Sequence, residues 1–314
     1  MKISCFVLIT VVFGAFSEEG MASPGAREIS QACVDSGCFD GDTEGFPIRI
    51  TNAGVYVLTS NITAPTFDTT AIVIEVDNVV LDLRGFSIIG PNICTGEPGD
   101  CEFTFMAGGA VGAVNVRNTT VKNGYVAGFG FAGLNLGEAS KVSNIHASHN
   151  RRVGIWTRAG SEIVNSVVSF NGDLGIETTQ TRVMNVSALS NGAVGMAVGD
   201  GTLIHFATVR DNQVGILDWH GSAVKDSSIM RNSTGIDSIN GGTRVHDSHV
   251  FDNEGFAIFH RGADLYVEGG VPVQISGSTF YSNGGSMESP QFGGGGQILE
   301  TGTNLCGTNL ECGL

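Results

Sequence analysis

Both tryptophans of the chain, Trp156 and Trp219, stand close to ionisable residues that could move protons or hold a ligand. Trp156 is followed by Arg158, and Trp219 sits between Asp218 and His220. Glu177, Asp200, Asp237 and His260 share one feature with them: each lies two to five places after a glycine that precedes a large apolar residue. Recurrence at one offset puts the whole set on one wall of whatever unit repeats. Carboxylates paired with imidazole suit general acid–base work, so Glu177, Asp218, His220 and Asp237 are the expected catalytic groups. An indole face beside polar groups grips a sugar ring by stacking and hydrogen bonding, which makes Trp156, Arg158, Trp219 and His260 the expected substrate-binding residues. The competing reading is that an acidic chain places its carboxylates on the outward wall of a solenoid with no ligand in view.

The elements that would position this wall follow from an internal period. The glycine–apolar pair recurs at Gly133-Leu134, Gly154-Ile155, Gly175-Ile176, Gly195-Met196, Gly215-Ile216, Gly235-Ile236 and Gly255-Phe256, in steps of 21 or 20 residues. Asparagine recurs beside it as Asn150, Asn171, Asn191, Asn212, Asn232 and Asn253. Eight places before each Asn stands Val142, Ile163, Val183, Ile204, Val224 or Val245, and three places before it Ala147, Val168, Ala188, Val209, Ile229 or Val250. Short β-branched segments separated by Gly, Asn and Asp read as several short strands per repeat. No run has the 3.6-residue period and length of a helix. Stacked coils would pair strands in parallel about 4.8 Å apart and align the asparagines into a ladder, with Asn in the left-handed conformation of a sharp turn. The pattern extends upstream through Asn78-Val79-Val80-Leu81 and Asn118-Thr119-Thr120-Val121, and downstream to Ile275, Phe280 and Asn283.

These columns resemble the right-handed parallel β-helix repeat family, the superfold shared by pectate lyases, polygalacturonases, alginate epimerases and many secreted bacterial proteins. The resemblance covers roughly residues 46–285 and implies an all-β solenoid of about ten coils with short N- and C-terminal caps. It implies no single activity, because the scaffold carries several chemistries as well as plain binding. The signatures of the known activities are missing. There is no Asp-Asp or Arg-x-Lys of the polygalacturonase type and no Asp-Pro-His-Asp of the alginate-epimerase type. Leu217-Asp218-Trp219-His220 is a scrambled form of the pectate-lyase Trp-Ile-Asp-His element. No catalytic residue is carried over.

Residues 1–17 read as a secretory signal peptide: one lysine, an apolar run from Cys5 to Phe16, and small residues at the exit. Residues 18–45 are then an N-terminal segment and cap, 46–285 the solenoid, and 286–314 a glycine-rich C-terminal cap. The six cysteines beyond residue 17 fall in close pairs, Cys33/Cys38, Cys94/Cys101 and Cys306/Cys312, which suit local disulfides in a secreted, periplasmic or cell-surface protein. With 16 Lys and Arg against 31 Asp and Glu, the net charge of −15 disfavours nucleic acid and anionic membranes. It also disfavours a polyanionic glycan unless a local basic patch or calcium intervenes, so calcium stays open as a cofactor. Insertions fall at 91–109, which carries the Cys94/Cys101 pair, and at 261–273, which would overhang the wall.

Two further columns stand apart from that wall. His205, Lys225 and His246 share an outward column in which the lysine disfavours a cation, so no metal site is assigned. Asp211, Arg231 and Asp252 form a surface ion ladder. The expectation is a protein that binds, and could cleave or modify, polysaccharide along one wall. The alternative is a non-catalytic surface, matrix or adhesin-like component.

Overall fold

The computed structural model describes residues 25–66, 68–91, 107–261, 271–285, 292–295, 297–301 and 303–306. Over these the chain winds as a parallel β-solenoid of about ten turns, as the period predicts. Each turn contributes one strand to an 11-stranded sheet and one long or two short strands to a 19-stranded sheet. The strands Leu174–Thr179 and Arg182–Leu189 are one such turn. No helix among the described residues is long and apolar enough to cross a membrane.

Three apolar columns fill the interior. Ile155, Ile176, Met196, Ile216, Ile236 and Ile258 stack from the 11-stranded sheet, all fully buried. From the other sheet come the rows containing Val183 and Val209, equally buried. Residues 20 to 22 apart therefore meet in register, and one burial pattern is repeated rather than invented anew in each coil.

The asparagine ladder runs through this core. From Asn150 to Asn253, each side-chain amide donates to Oδ1 of the next asparagine along the axis, the last reaching Asn283, at 2.7–3.2 Å. Each backbone N–H donates to that same Oδ1 at 2.8–3.2 Å. The left-handed conformation, expected at these asparagines, belongs instead to the residue before each: His149, Phe170, Ser190, Asp211, Arg231 and Asp252, with φ of 51–60°. The ladder asparagine must turn its side chain inward along the axis, so the bend falls on its neighbour. The glycine column is needed for close approach. A Cβ on Gly175 would lie 2.5 Å from the carbonyl oxygen of Gly195 and 2.8 Å from the amide of Asn191.

The ends are stapled. Cys33 and Cys38 form a disulfide with Cα atoms 4.6 Å apart beside a short 3-10 turn, Gln31–Cys33. Cys306 is disulfide-bonded as well. Cys94, Cys101 and Cys312, the expected signal peptide and most of both expected insertions lie outside the described residues.

Replacing Asn191 with Ala strips the acceptor from two buried donors of Asn171, the amide and the backbone N–H. It should lower unfolding free energy by about 2–4 kcal/mol. Ser233→Ala, which removes an exposed contact to Glu254, should change it by less than about 1 kcal/mol. Urea denaturation of the two variants side by side checks the difference.

Candidate functional site

Strand periodicity splits the sequence-predicted wall into two rows on the 11-stranded sheet, because successive side chains point to opposite faces. One row runs Asn135, Trp156, Glu177, Ala197, Leu217, Asp237 and Phe259, in register from coil to coil on the outer face. The next position runs Thr178, Val198, Asp218, Ser238 and His260, on the inner face. Trp219 and His220 follow in the turn after the strand Val214–Asp218.

Asp218 and His260 are therefore not on the wall. Asp218 is 1% exposed and accepts hydrogen bonds from Ser222 Oγ at 2.8 Å, Thr243 Oγ1 at 2.6 Å and the Ser222 backbone at 3.0 Å. Four donors, the His220 N–H among them, hold this carboxylate in an inner column that is otherwise mostly polar, Thr178, Ser238 and His260 beside Val198. His260 is fully buried, its Nδ1 lying 3.2 Å from the Ser238 carbonyl oxygen. Both assignments, Asp218 as catalytic and His260 as substrate-binding, are corrected to interior roles by the inward phase of the strand. Asp237 does lie on the outer row, but it is only 3% exposed because Arg261 covers it, with Nε donating to its carboxylate at 2.9 Å.

What the fold brings together is a groove of about 330 Å³ lined by Trp156, Arg158, Glu177, Asp200, Trp219 and His220. Its floor is opened by small residues. Ala197 occupies the outer row where Trp156 and Glu177 stand in the preceding coils, and Gly199 packs beneath Trp219. Trp219 is 48% exposed and presents its ring to solvent. Trp156 is less open, because the Arg158 guanidinium lies over its ring at 4.0 Å and Arg152 approaches at 5.5 Å. Such cation–π contacts fix the guanidinium more firmly than they leave the indole free. Arg158 Nη1 is buried without a hydrogen-bond acceptor.

Glu177 sits between these arginines, with Arg152 Nη2 at 3.9 Å. Burial pushes its carboxyl above the ordinary glutamate range, against the pull of Arg152 and Arg158 and with help from Asp173. Glu177 Oε2 accepts no hydrogen bond. A carboxyl of this kind keeps its proton to higher pH and can donate it, the environment that acid catalysis uses. At the far side, His220 Nδ1 lies 3.5 Å from Asp200 Oδ1 and its Nε2 lies 2.8 Å from the Asn240 amide.

Sequence reasoning missed Arg152, Asp173, Ala197 and Gly199. The offset rule that found the wall excludes Arg152 and Asp173, which precede the column glycines. The small residues carry no chemistry of their own and count only as space. Elsewhere, His205, Lys225 and His246 do share one outward row, with His205 Nε2 2.7 Å from Asp226. The ion ladder holds Arg231 on Asp211 at 2.8 Å. Among the described residues no group of three His, Cys, Asp or Glu is placed to hold a metal ion.

No family model matches the chain, and no curated protein does. Solved structures do resemble it. The periplasmic alginate epimerase AlgG aligns with a TM-score of 0.58 at 12% identity, over 88% of this chain and 73% of its own. The catalytic domain of a GH87 alpha-1,3-glucanase, crystallised in complex with tetrasaccharides, aligns with a TM-score of 0.51 at 13% identity, over 88% of this chain and 63% of its own. At such identity the likeness is one of fold: the chain is a parallel β-helix.

Because folding raises the Glu177 pKa, the folded state holds this proton more tightly than the unfolded chain. Stability from this group therefore falls as pH rises from about 4.3 through the raised value. Glu177→Gln should flatten that decline and leave the protein at least as stable as wild type at pH 7. Thermal melts at closely spaced pH values between 3.5 and 7 show it as convergence of the two curves at the acid end.

Proposed function

We propose that the groove between Trp156 and Trp219 binds a polysaccharide chain laid along the solenoid axis. The observation that carries this reading is the pairing of an open indole, Trp219, with a small-residue floor at Ala197 and Gly199 and a polar far side at Arg158 and Glu177. A sugar ring needs an apolar face to stack on and fixed polar groups at its edge. The two tryptophans are three coils apart, about 14 Å along the axis, which matches a short oligosaccharide. The relatives in fold include an alginate epimerase and a glucanase, both of which act on polysaccharides by name. Arg158 brings a cation to the groove edge, while Arg152 is already paired with Asp173 and Glu177, so neutral sugars suit the groove better than strongly anionic ones. The disulfides suit the secreted or periplasmic location in which such glycans occur.

Glu177 and His220 are the groove's acid–base groups, and cleavage or modification of the chain would rest on them. A specific observation favours binding without turnover as the second reading. Of the four expected catalytic residues, Asp218 is interior and Asp237 is ion-paired with Arg261.

Titration with uronic-acid and neutral oligosaccharides, with and without calcium, should change the intrinsic tryptophan emission for at least one of them. Trp219→Ala should then weaken binding by about 1–3 kcal/mol, while Arg231→Ala on the ion ladder leaves it unchanged. Chromatography of the incubated oligosaccharide separates binding from turnover. No emission change with any glycan would overturn the reading.

A further inference from the structure

A second hollow lies on the same outer face toward the N-terminus and is larger than the groove, about 480 Å³. It has the same origin. The outer row continues upstream of Trp156 through Asn135 and Gly112 to Val73, and Gly112 is where that row lacks a side chain. Val73, Val114 and Phe131 give it apolar wall, Thr70, Asn115 and the Arg49-paired Glu75 also line it, and Asn135 closes the side nearest the groove. Asn135 Oδ1 is buried and accepts no hydrogen bond. The hollow adjoins the groove: the Phe131 ring that lines it packs against Trp156 with centroids 5.8 Å apart and carries Arg152 at 5.3 Å.

An occupant must therefore offer a small apolar group to the valines and phenylalanine and an N–H or O–H donor to Asn135 Oδ1, at one coil spacing from Trp156. We propose that this hollow receives the acetamido group of an N-acetylated sugar belonging to the chain held in the groove. The methyl fills the apolar space above Gly112, and the Asn135 carboxamide turns toward the hollow so that the amide N–H donates to its Oδ1, satisfying an acceptor that otherwise stays buried and unpaired. An unsubstituted hexose leaves the hollow unfilled, and a carboxylate brings no donor and loses its solvation there. The inference rests on the polysaccharide reading of the groove and names the sugar that extends it. From Val73 to Leu217 the outer row spans about 29 Å, so a hexasaccharide reaches both hollows.

The test uses hexa-N-acetylchitohexaose and cellohexaose, which share one backbone and differ at C2. Binding to the full-length mature protein is measured by calorimetry and tryptophan emission. The N-acetylated oligomer should bind at least about tenfold more tightly, the worth of a buried methyl and one satisfied hydrogen bond. Gly112→Val should abolish the preference by filling the hollow. A Cβ there meets only Thr70 Cγ2 at 3.5 Å, so the strand accommodates it, and Gly112→Ala serves if the larger residue impairs folding. Asn135→Leu should also remove the preference, and Asn135→Asp, which keeps the acceptor, should retain it. Equal affinity for the two oligomers, or a preference that survives Gly112→Val, overturns the proposal. Cellohexaose that changes Trp219 emission without any preference for its N-acetylated counterpart defeats the acetamido site and spares the groove. Failure of both oligomers to bind defeats the acetamido site, and the wider glycan panel then decides whether the groove falls too.

Discussion

Hydrogen bonds along the axis, concentrated in the buried asparagine ladder, constrain everything else in this protein. A side-chain amide in an apolar interior is tolerable only when its donors and acceptor are paired. Here each Oδ1 takes two donors from the preceding coil, and the amide's second proton reaches a backbone carbonyl, as from Asn191 to Val168 at 3.3 Å. The coils are thereby locked at one rise and one phase. The insertion between Arg261 and Val271 lengthens one coil, yet Asn253 still donates to Asn283 at 2.7 Å across 30 residues. The ladder keeps its rung although the sequence between these two asparagines is longer than in the other coils.

A rigid lattice of this kind turns the outer face into a ruled surface, with one side chain per row every 4.8 Å or so. Recognition is then written as much by omission as by chemistry. Gly112 opens one hollow, and Ala197 with Gly199 opens the other, while the residues between them, Asn135, Trp156 and Glu177, line their edges. A chain ligand of comparable repeat can meet successive rows without bending, and little ordering entropy is lost by a surface already fixed.

Electrostatics adds a local cluster of opposite charges. The chain is strongly acidic, yet the groove gathers Arg152 and Arg158 around Glu177, and Trp156 holds both guanidinium groups against its ring. Burial raises the Glu177 carboxyl in spite of these cations. The result is a carboxyl that retains its proton more readily than a surface glutamate, beside a buried guanidinium donor with no acceptor. Such a pair stands ready for a polar ligand.

The repeat columns were legible in the sequence because stacking demands identical residues at identical positions. Val183, Ile204 and Val224 could be aligned by eye and are found aligned in space. The wall was legible only by offset, and offset is blind to side-chain phase. Asp218 and His260 lie one position along the strand from the outer row, enough to turn them into the interior, where Ser222, Thr243 and Ser238 receive them. Asp237 kept its phase, but Arg261, which lies in the next coil, took up its charge. The left-handed bend moved to the residue before each asparagine because the ladder claims the asparagine side chain. The sequence by itself thus determined the period, the core columns and the ladder, all of which depend on residues repeating along one line. Only the tertiary structure decided which side chains share the groove and where space is left, because both depend on neighbours from different coils and on residues conspicuous only for what they lack.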